Sequence, residues 1–417
     1  MFFSTSADIV ATARYVCRWL ALSALLGALA GTASALFLIA LDWASATRIA
    51  HPWLLWALPA AGFATGWVYH RFGQSVARGN NLLIDEIHDP KALVPKRMAP
   101  LVLVATVVTH LFGGSAGREG TAVQMGGALA DRITHVLRLD REHRRVLLMG
   151  GIAAGFSSVF GTPLAGAVFG LEVLAIGRVR YDALLTCVAS AIVADLVCRA
   201  WGVHHTVYAI PFVPAVSATA LAATVVAGVA FGVVGRLFAF ATHALTAWCR
   251  RVVRYAPLQP VLGGVMVAVA ASVLNVPQYL GLGIPTIEAA FRGPLPVYDF
   301  AGKFAFTVVT LASGFKGGEV TPLFYIGATL GNALGNALGQ VLALPVPVLA
   351  GLGFVAVFAG AANTPIASTI MAIELFGADV GVYAIVACVV AYLFSGHAGI
   401  YRSQRVAVGK AARMEAD

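Results

Sequence analysis

The sequence predicts an all-α polytopic membrane protein. Of its 417 residues, 59% are hydrophobic and only 11% are charged, and the mean hydropathy is +0.84. Soluble domains carry roughly 25% charged residues, so a water-soluble fold is excluded. Some apolar segments, such as Leu101–Phe112, are shorter than the roughly 17–25 residues of a straight spanning helix, whereas Val320–Phe358 is far longer. This unevenness predicts tilted and broken helices, whose irregular backbone must be surrounded by protein or line a water-filled cavity.

An internal repeat predicts two halves of one shared fold, about residues 15–213 and 214–400. The repeated pairs are Glu86 and Glu288, Pro163 and Pro365, and Glu172 and Glu374, each 202 residues apart, and Glu119 and Glu319, 200 residues apart. Duplicated folds with interrupted helices are typical of secondary transporters, whose site lies between the repeats near the bilayer midplane. Because Glu172 and Glu374 occur in both halves, we expect them to serve the shared fold rather than a single chemical step.

The net charge of +9 does not by itself indicate nucleic-acid binding. Its basic residues form short clusters between apolar segments, which is typical of cytoplasmic loops of membrane proteins. The clusters include Arg138–Arg145 and the C-terminal Arg402, Arg405, Lys410 and Arg413. We therefore expect a multi-pass protein of the inner (plasma) membrane whose short tail, residues 401–417, is cytoplasmic. The five cysteines have no CxxC spacing, so no metal site, disulfide framework or cofactor is expected.

The segment Gly113–Gly126 carries an arginine, a glutamate and a glutamine within an apolar chain. The glycines on either side of Glu119 suit an irregular loop that becomes a helix start. Free N–H groups and the helix dipole attract an anion at such a start. We expect Glu119 itself to occupy this anion site and a transported ion to compete with it, since ionisable residues within membranes are functional candidates. The alternative is a structural pairing of Arg118 with Glu119.

Two further motifs resemble parts of an anion site. Glu319-Val320-Thr321-Pro322 is predicted to start a helix, because proline is tolerated in a first helical turn. Two helix starts from two halves, aimed at one point, would build an anion site from dipoles and amides. In Gly79-Asn80-Asn81, an asparagine is either a simple helix N-cap or a donor whose amide is free for the anion.

The motifs together resemble the CLC chloride channel and transporter family. They are Gly117-Arg118-Glu119-Gly120, the helix starting at Pro163-Leu-Ala-Gly, Gly281-Leu-Gly-Ile-Pro285, and a C-terminal Tyr401. The resemblance implies a single CLC-type transmembrane domain of about 18 helices in two inverted halves, without CBS domains. It also implies a homodimer with one pathway per subunit, a gating glutamate at Glu119, anion contacts at Gly120 and Val320, and a Tyr401 hydroxyl that faces the central anion.

Three departures from the family pattern resemble its fluoride/proton antiporter branch. Asn80 stands where an anion-contacting serine is expected, Glu319 and Thr321 occupy the last motif, and Val173 replaces the second, inner glutamate of proton-coupled chloride exchangers. The resemblance then implies that Glu319 is an additional central carboxylate with a proton role. Fluoride is smaller and more strongly hydrated than chloride, and donors on Asn80 or Asn81, Thr321 and Tyr401 suit such a hard acceptor.

We therefore expect a fluoride/proton antiporter that exports fluoride from the cytoplasm using the proton gradient. The alternative is a chloride/proton exchanger or chloride channel of the same family. The expected partners are fluoride or chloride, protons, the lipid bilayer and a second copy of the chain. An intramembrane enzyme is disfavoured, because the sequence has neither an HExxH nor a Gly-x-Ser-x-Gly motif.

Overall fold

The computed structural model describes residues 6–342 and 344–410. Over this part of the chain there are sixteen α-helices, six short 3-10 segments and one two-stranded sheet, so the predicted all-α class is confirmed; the family resemblance implied about eighteen helices. The helices are α1 (Ser6–Ala50), α2 (Leu58–Phe72), α3 (Asn80–His88), α4 (Met98–Leu111), α5 (Glu119–Val136), α6 (Arg141–Phe160), α7 (Pro163–Glu172), α8 (Leu184–Ala200), α9 (Ala218–Val252), α10 (Gln259–Val273), α11 (Ile284–Ala290), α12 (Asp299–Ala312), α13 (Val320–Leu342), α14 (Val346–Ala362), α15 (Pro365–Phe376) and α16 (Gly381–Phe394). The strands are β1 (Ala175–Ile176) and β2 (Arg405–Val406), and the 3-10 segments are Pro52–Ala57, Gln74–Val76, Tyr181–Ala183, Ala256–Leu258, Pro277–Tyr279 and Ala378–Val380.

Helices α1–α8 correspond in order to α9–α16. Helices α2 and α10 each contain 15 residues, and α4 and α12 each contain 14. Helices α7 and α15 both begin at the proline of the repeated motif, Pro163 and Pro365. The predicted junction after residue 213 falls in the non-helical segment 201–217, which separates the two sets of helices.

The helices are as unequal as the sequence predicts. Four helical stretches in the described residues are long and apolar enough to cross a membrane: Asp8–Ala50, Tyr181–Ala200, Ala218–Val252 and Ala256–Val273. Helix α1 has 45 residues; at about 1.5 Å per residue it is roughly 68 Å long. Because that is about twice the thickness of the hydrocarbon core, α1 must be tilted or extend beyond it.

The two halves contact each other reciprocally at their centre. Gly117 N donates to Gly318 O (2.6 Å), and Gly318 N donates to Gly117 O (2.7 Å), in a single antiparallel bridge. Such a reciprocal exchange between equivalent segments of the two halves is what a pseudo-two-fold relation produces. The bridge holds the residues that precede α5 and α13 side by side.

The repeated glutamates extend this reciprocity. Glu172, at the end of α7, accepts hydrogen bonds from Ile366 N (3.1 Å) and Ala367 N (2.8 Å) at the start of α15. Glu374, on α15, accepts from Leu164 N (2.9 Å) and Ala165 N (2.8 Å) at the start of α7. Each carboxylate therefore satisfies free N–H groups at the positive end of the partner helix. These hydrogen bonds are those expected if both residues serve the shared fold.

Helices α13 and α14 pack backbone against backbone. A Cβ at Gly327 would lie 2.0 Å from Gly353 O, and one at Gly331 would lie 2.0 Å from Leu349 O. Only glycine permits this approach, so Gly327 and Gly331 allow close packing of the two helices.

A buried ion network stabilises the end of α5. Arg144 donates to Asp131 (2.6 Å) and to Glu86 (3.0 Å), and all three side chains are less than a tenth exposed. Removing one partner from such a network leaves an uncompensated buried charge. We therefore assign these three residues to the stability of the fold.

The C-terminal segment lies against the body of the protein. Strand β2 pairs in parallel with β1, and Gln404 Nε2 donates to the Val173 carbonyl (3.0 Å). These contacts follow Tyr401, which is buried. Residues 411–417 of the predicted cytoplasmic tail, including Arg413, lie outside the described residues.

Candidate functional site

Glu119 is the first residue of α5 and is completely buried. Its Oε2 accepts hydrogen bonds from Thr321 N (3.0 Å) and Arg118 N (3.2 Å), and its Oε1 accepts from Thr321 Oγ1 (2.5 Å). The guanidinium Nε of Arg118 lies 3.7 Å from Oε1. The carboxylate of one half therefore occupies the N-terminus of α13 in the other half, where N–H groups and the helix dipole favour an anion.

Glycines make this approach of the two helix starts possible. A Cβ at Gly117 would lie 2.8 Å from Pro322 Cδ and 3.0 Å from Glu119 Oε2. A Cβ at Gly120 would lie 3.1 Å from Asn80 Nδ2 and 3.2 Å from Gly318 Cα. The sequence predicted two converging helix starts, and the structure confirms that convergence.

A large cavity of about 360 Å³ opens on one side of this point. Four residues of the predicted site line it, namely Asn80, Asn81, Glu319 and Tyr401, together with the basic side chains Arg78, His243, Arg250, Lys316 and Arg402. We call it the large cavity. Its charge balance is strongly positive around one carboxylate, which favours the entry of a small anion.

The two asparagines of the predicted site have different environments. Asn81 Oδ1 accepts a hydrogen bond from Ser403 N (2.9 Å), so that side chain ties the C-terminal segment to α3. Asn80 Oδ1 is buried without a hydrogen-bond partner. The simple N-cap interpretation is wrong for both, because Gly79 is the N-cap of α3 and the helix has no side-chain cap. The Nδ2 group of Asn80, which can donate to an anion, lies beside Gly120.

Glu319 immediately precedes α13 and is only partly buried. One of its carboxylate oxygens lies 3.8 Å from the position of a Cβ at Gly120, so both glutamates flank that glycine. Val320, the first residue of α13, and Thr321 are buried. The structure therefore gathers Glu119, Gly120, Asn80 and Glu319 around one point, while the roles assigned to them stay predictions.

Val173 is buried in an apolar environment beside the large cavity. It lines a void of about 10 Å³ with Asn80, Phe169 and Tyr401, among others. Its neighbour Glu172 is directed instead to the N-terminus of α15. Neither residue brings a carboxylate to the place where the family resemblance expects an inner glutamate.

On the opposite side of Glu119 lies a second, much smaller space, which we call the small chamber. Its volume is about 20 Å³, and its lining includes Arg118, Glu119, His205, Thr206, Tyr208 and Thr321. Glu119 and Thr321 line the small chamber but not the large cavity, whereas Glu319 does the reverse. The bonded pair of Glu119 and Thr321 thus lies between the two spaces.

The residues of the small chamber that come from segment 201–217 were missed at the sequence level. His205, Thr206 and Tyr208 belong to no repeat or motif, and their polar character between two apolar segments suits any loop. These residues lie next to the start of α5 only in the folded protein, so no local pattern in the sequence indicates the contact.

The structure contains no metal-ligand cluster over the residues it describes: no group of three or more His, Cys, Asp or Glu side chains is arranged to hold an ion. The site is therefore made of carboxylates, amides, hydroxyls and helix starts.

The chain is similar in sequence and structure to several known proteins. Residues 61–396 match the family model described as voltage gated chloride channel. A "Chloride/fluoride channel protein" of Pseudomonas syringae pv. tomato (strain ATCC BAA-871 / DC3000) is 60% identical over 402 residues, which cover 95% of this chain and 88% of that protein. An "H(+)/Cl(-) exchange transporter ClcA" of Vibrio vulnificus (strain YJ016) is 30% identical over 391 residues, with 85% and 81% covered. Among solved structures, a CLC-type fluoride/proton antiporter aligns with a TM-score of 0.89 and 33% identity, over 97% of this chain and 100% of that one.

Proposed function

Because the chain belongs to the voltage-gated chloride channel family, we propose that it is a secondary active transporter that exports fluoride in exchange for protons. One observation carries the proposal: the carboxylate of Glu119 occupies the N-terminus of α13, between the large cavity and the small chamber. A carboxylate in an anion site blocks the path when it is ionised, and it competes there with the transported anion. When protonated, it leaves the site at little electrostatic cost, so anion and proton movement become linked.

Fluoride is the proposed anion because the donors at the site are strong and closely spaced. Stripping water from fluoride is costly and must be offset by direct hydrogen bonds. Candidate donors are the amide of Asn80, the hydroxyls of Thr321 and Tyr401, and backbone N–H groups at Gly120 and Val320. The relatives named for fluoride support this choice.

The proposed proton carriers are Glu119 and Glu319. Both carboxylates flank Gly120, and Val173 supplies no third carboxylate on the large-cavity side. Fluoride accepts a proton far more readily than chloride does, so a protonated Glu319 can donate to it.

The rest of the proposal concerns the assembly and its orientation. We place the protein in the inner membrane, with the C-terminal segment and the large cavity facing the cytoplasm, since Tyr401, Arg402 and Ser403 line that cavity. The transporter would be a homodimer in lipid with one pathway per subunit, because both spaces are formed within one chain. Nothing in this scheme requires enzymatic turnover.

The alternative anion is chloride, which the relative named for H(+)/Cl(-) exchange favours. Purified protein in liposomes loaded with equal fluoride and chloride separates the two. Release of each ion is followed with its own electrode after ionophores clamp the membrane potential and the pH. We expect fluoride release to be faster by on the order of tenfold or more, a preference of roughly 1.4 kcal/mol or more. Equal release rates for the two ions would favour chloride as the transported anion instead.

A further inference from the structure

The small chamber is lined by a histidine that the proposed mechanism does not use. His205 lines this space together with Glu119. We infer that His205 is the proton-transfer residue on the outer side of Glu119, an inference that rests on the proposed function. In that orientation the small chamber faces away from the cytoplasm, and protons that drive fluoride export enter through it.

The imidazole of His205 is held in place but is not fully hydrogen-bonded. Its Nε2 is buried without a hydrogen-bond partner and lies 3.6 Å from Asp195 Oδ1. The ring packs on Gly161, where a Cβ would lie 2.5 Å from His205 Cδ2. A ring nitrogen near a buried carboxylate, without a fixed bond, can gain and lose a proton without breaking a structural contact.

The charges that face His205 are balanced. Asp195 and Arg199 approach it from α8, and Arg199 forms a 3.0 Å ion pair with Asp195. Arg118 and Glu119 approach it across the small chamber from the start of α5. From α15, Glu374 lies within electrostatic reach of Asp195 and Arg199, but its oxygens are bonded to the start of α7.

Glu288 of α11 is within electrostatic reach of Tyr208, which also lines the small chamber. Of these groups, Arg118 lines the small chamber together with Glu119, and Arg199 is paired with Asp195. Asp195 acts as a positioning residue whose carboxylate offsets the imidazolium charge of His205.

The size of the small chamber suits proton transfer. A volume of about 20 Å³ admits about one water molecule, which needs roughly 10–15 Å³. The imidazolium gives its proton through that water to the Glu119 carboxylate, which becomes a neutral acid. Neutral His205 then takes a proton from the outer aqueous phase. An anion as large as a hydrated fluoride needs the space that Glu119 vacates, so proton entry precedes opening.

The neighbouring residue provides a matched control. His204 is exposed and does not line the small chamber. We compare wild type, His205→Ala and His204→Ala in liposomes, measuring fluoride release and proton uptake at several pH values, with and without imidazole in both aqueous compartments. His205→Ala should slow coupled transport by about tenfold or more, because a positioned acid–base group is lost. Imidazole should restore most of that rate, and His204→Ala should behave as wild type with or without it.

Two outcomes would overturn the inference. One is a His205→Ala rate within twofold of wild type across the pH range. The other is a loss of rate that imidazole does not restore, which would make His205 a structural contact of Asp195. Failure of the proposed function would instead show in the wild type, as fluoride release without proton uptake.

Discussion

At the residue scale, the site depends on which carboxylate occupies the start of α13. Glu119 reaches it from the other half of the chain and is held there by the backbone and hydroxyl of Thr321. Glu319 immediately precedes α13, at the same helix start, but it lines the large cavity. Two acids with different surroundings on either side of Gly120 are suited to different protonation steps of one cycle.

Thr321→Val tests whether the Thr321 hydroxyl keeps Glu119 at the start of α13. The change keeps the shape of the side chain and the backbone N–H but removes a hydroxyl donor to a carboxylate, a bond of about 1.5–3 kcal/mol. Glu119 should then leave the start of α13 more often without a proton, so fluoride leak without proton uptake should increase by about tenfold. Thr329→Val is the control, because the Thr329 hydroxyl donates within its own helix, to Tyr325 O. An unchanged proton-to-fluoride ratio in Thr321→Val would mean that the hydroxyl does not restrain the gate.

Glu319→Ala tests the second carboxylate. The Glu319 carboxylate is partly exposed to the large cavity and has no hydrogen bond to another residue that the structure describes, so its loss should leave the free energy of unfolding within about 0.5 kcal/mol of wild type. Fluoride transport should fall by about tenfold or more through the loss of a proton carrier. Val173→Glu, made alongside, should give no gain of fluoride pumping. Normal turnover of Glu319→Ala would assign that residue to structure.

At the element scale, helices α7 and α15 are held by exchanged glutamates. Glu374→Ala should leave the N–H groups of Leu164 and Ala165 without their acceptor. We expect the free energy of unfolding to fall by about 1–2 kcal/mol, as it does when an N-cap is lost. The expected readout is a lower thermal midpoint in detergent, with the proton-to-fluoride ratio unchanged. The control is Asp140→Ala, which removes the exposed N-cap of α6 and should lower the thermal midpoint by less than Glu374→Ala does.

A changed ion ratio in Glu374→Ala at unaltered stability would contradict the structural assignment. It would place Glu374 on the proton path instead.

The elements that sequence could predict are those with a local signal. The start of α13 at Glu319-Val320 followed from proline in its first turn, and the start of α5 followed from the glycines around Glu119. Partners in the other half could not be predicted. Nothing near Glu374 indicates Leu164, and nothing near Asn81 indicates Ser403, because these contacts exist only after the chain has folded back on itself.

At the scale of the whole molecule, two similar halves form one path that neither half could form alone. The Gly117–Gly318 bridge places two helix starts against each other, and the large cavity and small chamber meet at that contact. The repeat in the sequence predicted this pairing. The two sides of this path differ, because a basic cavity lies on one side and a histidine-lined chamber on the other. The basic residues and the histidine that cause this difference lie outside the repeated motifs.

The most direct test of coupled exchange is whether fluoride can drive protons uphill. Liposomes containing the protein are loaded with fluoride at symmetrical pH, with the membrane potential clamped at zero by valinomycin and equal potassium. External pH is then recorded after dilution into fluoride-free buffer. Wild type should raise external pH as protons enter against their own gradient, and a proton ionophore should abolish the rise. Glu119→Gln should show none of it. Fluoride release by wild type without proton uptake, or proton uptake that persists in Glu119→Gln, would contradict the account.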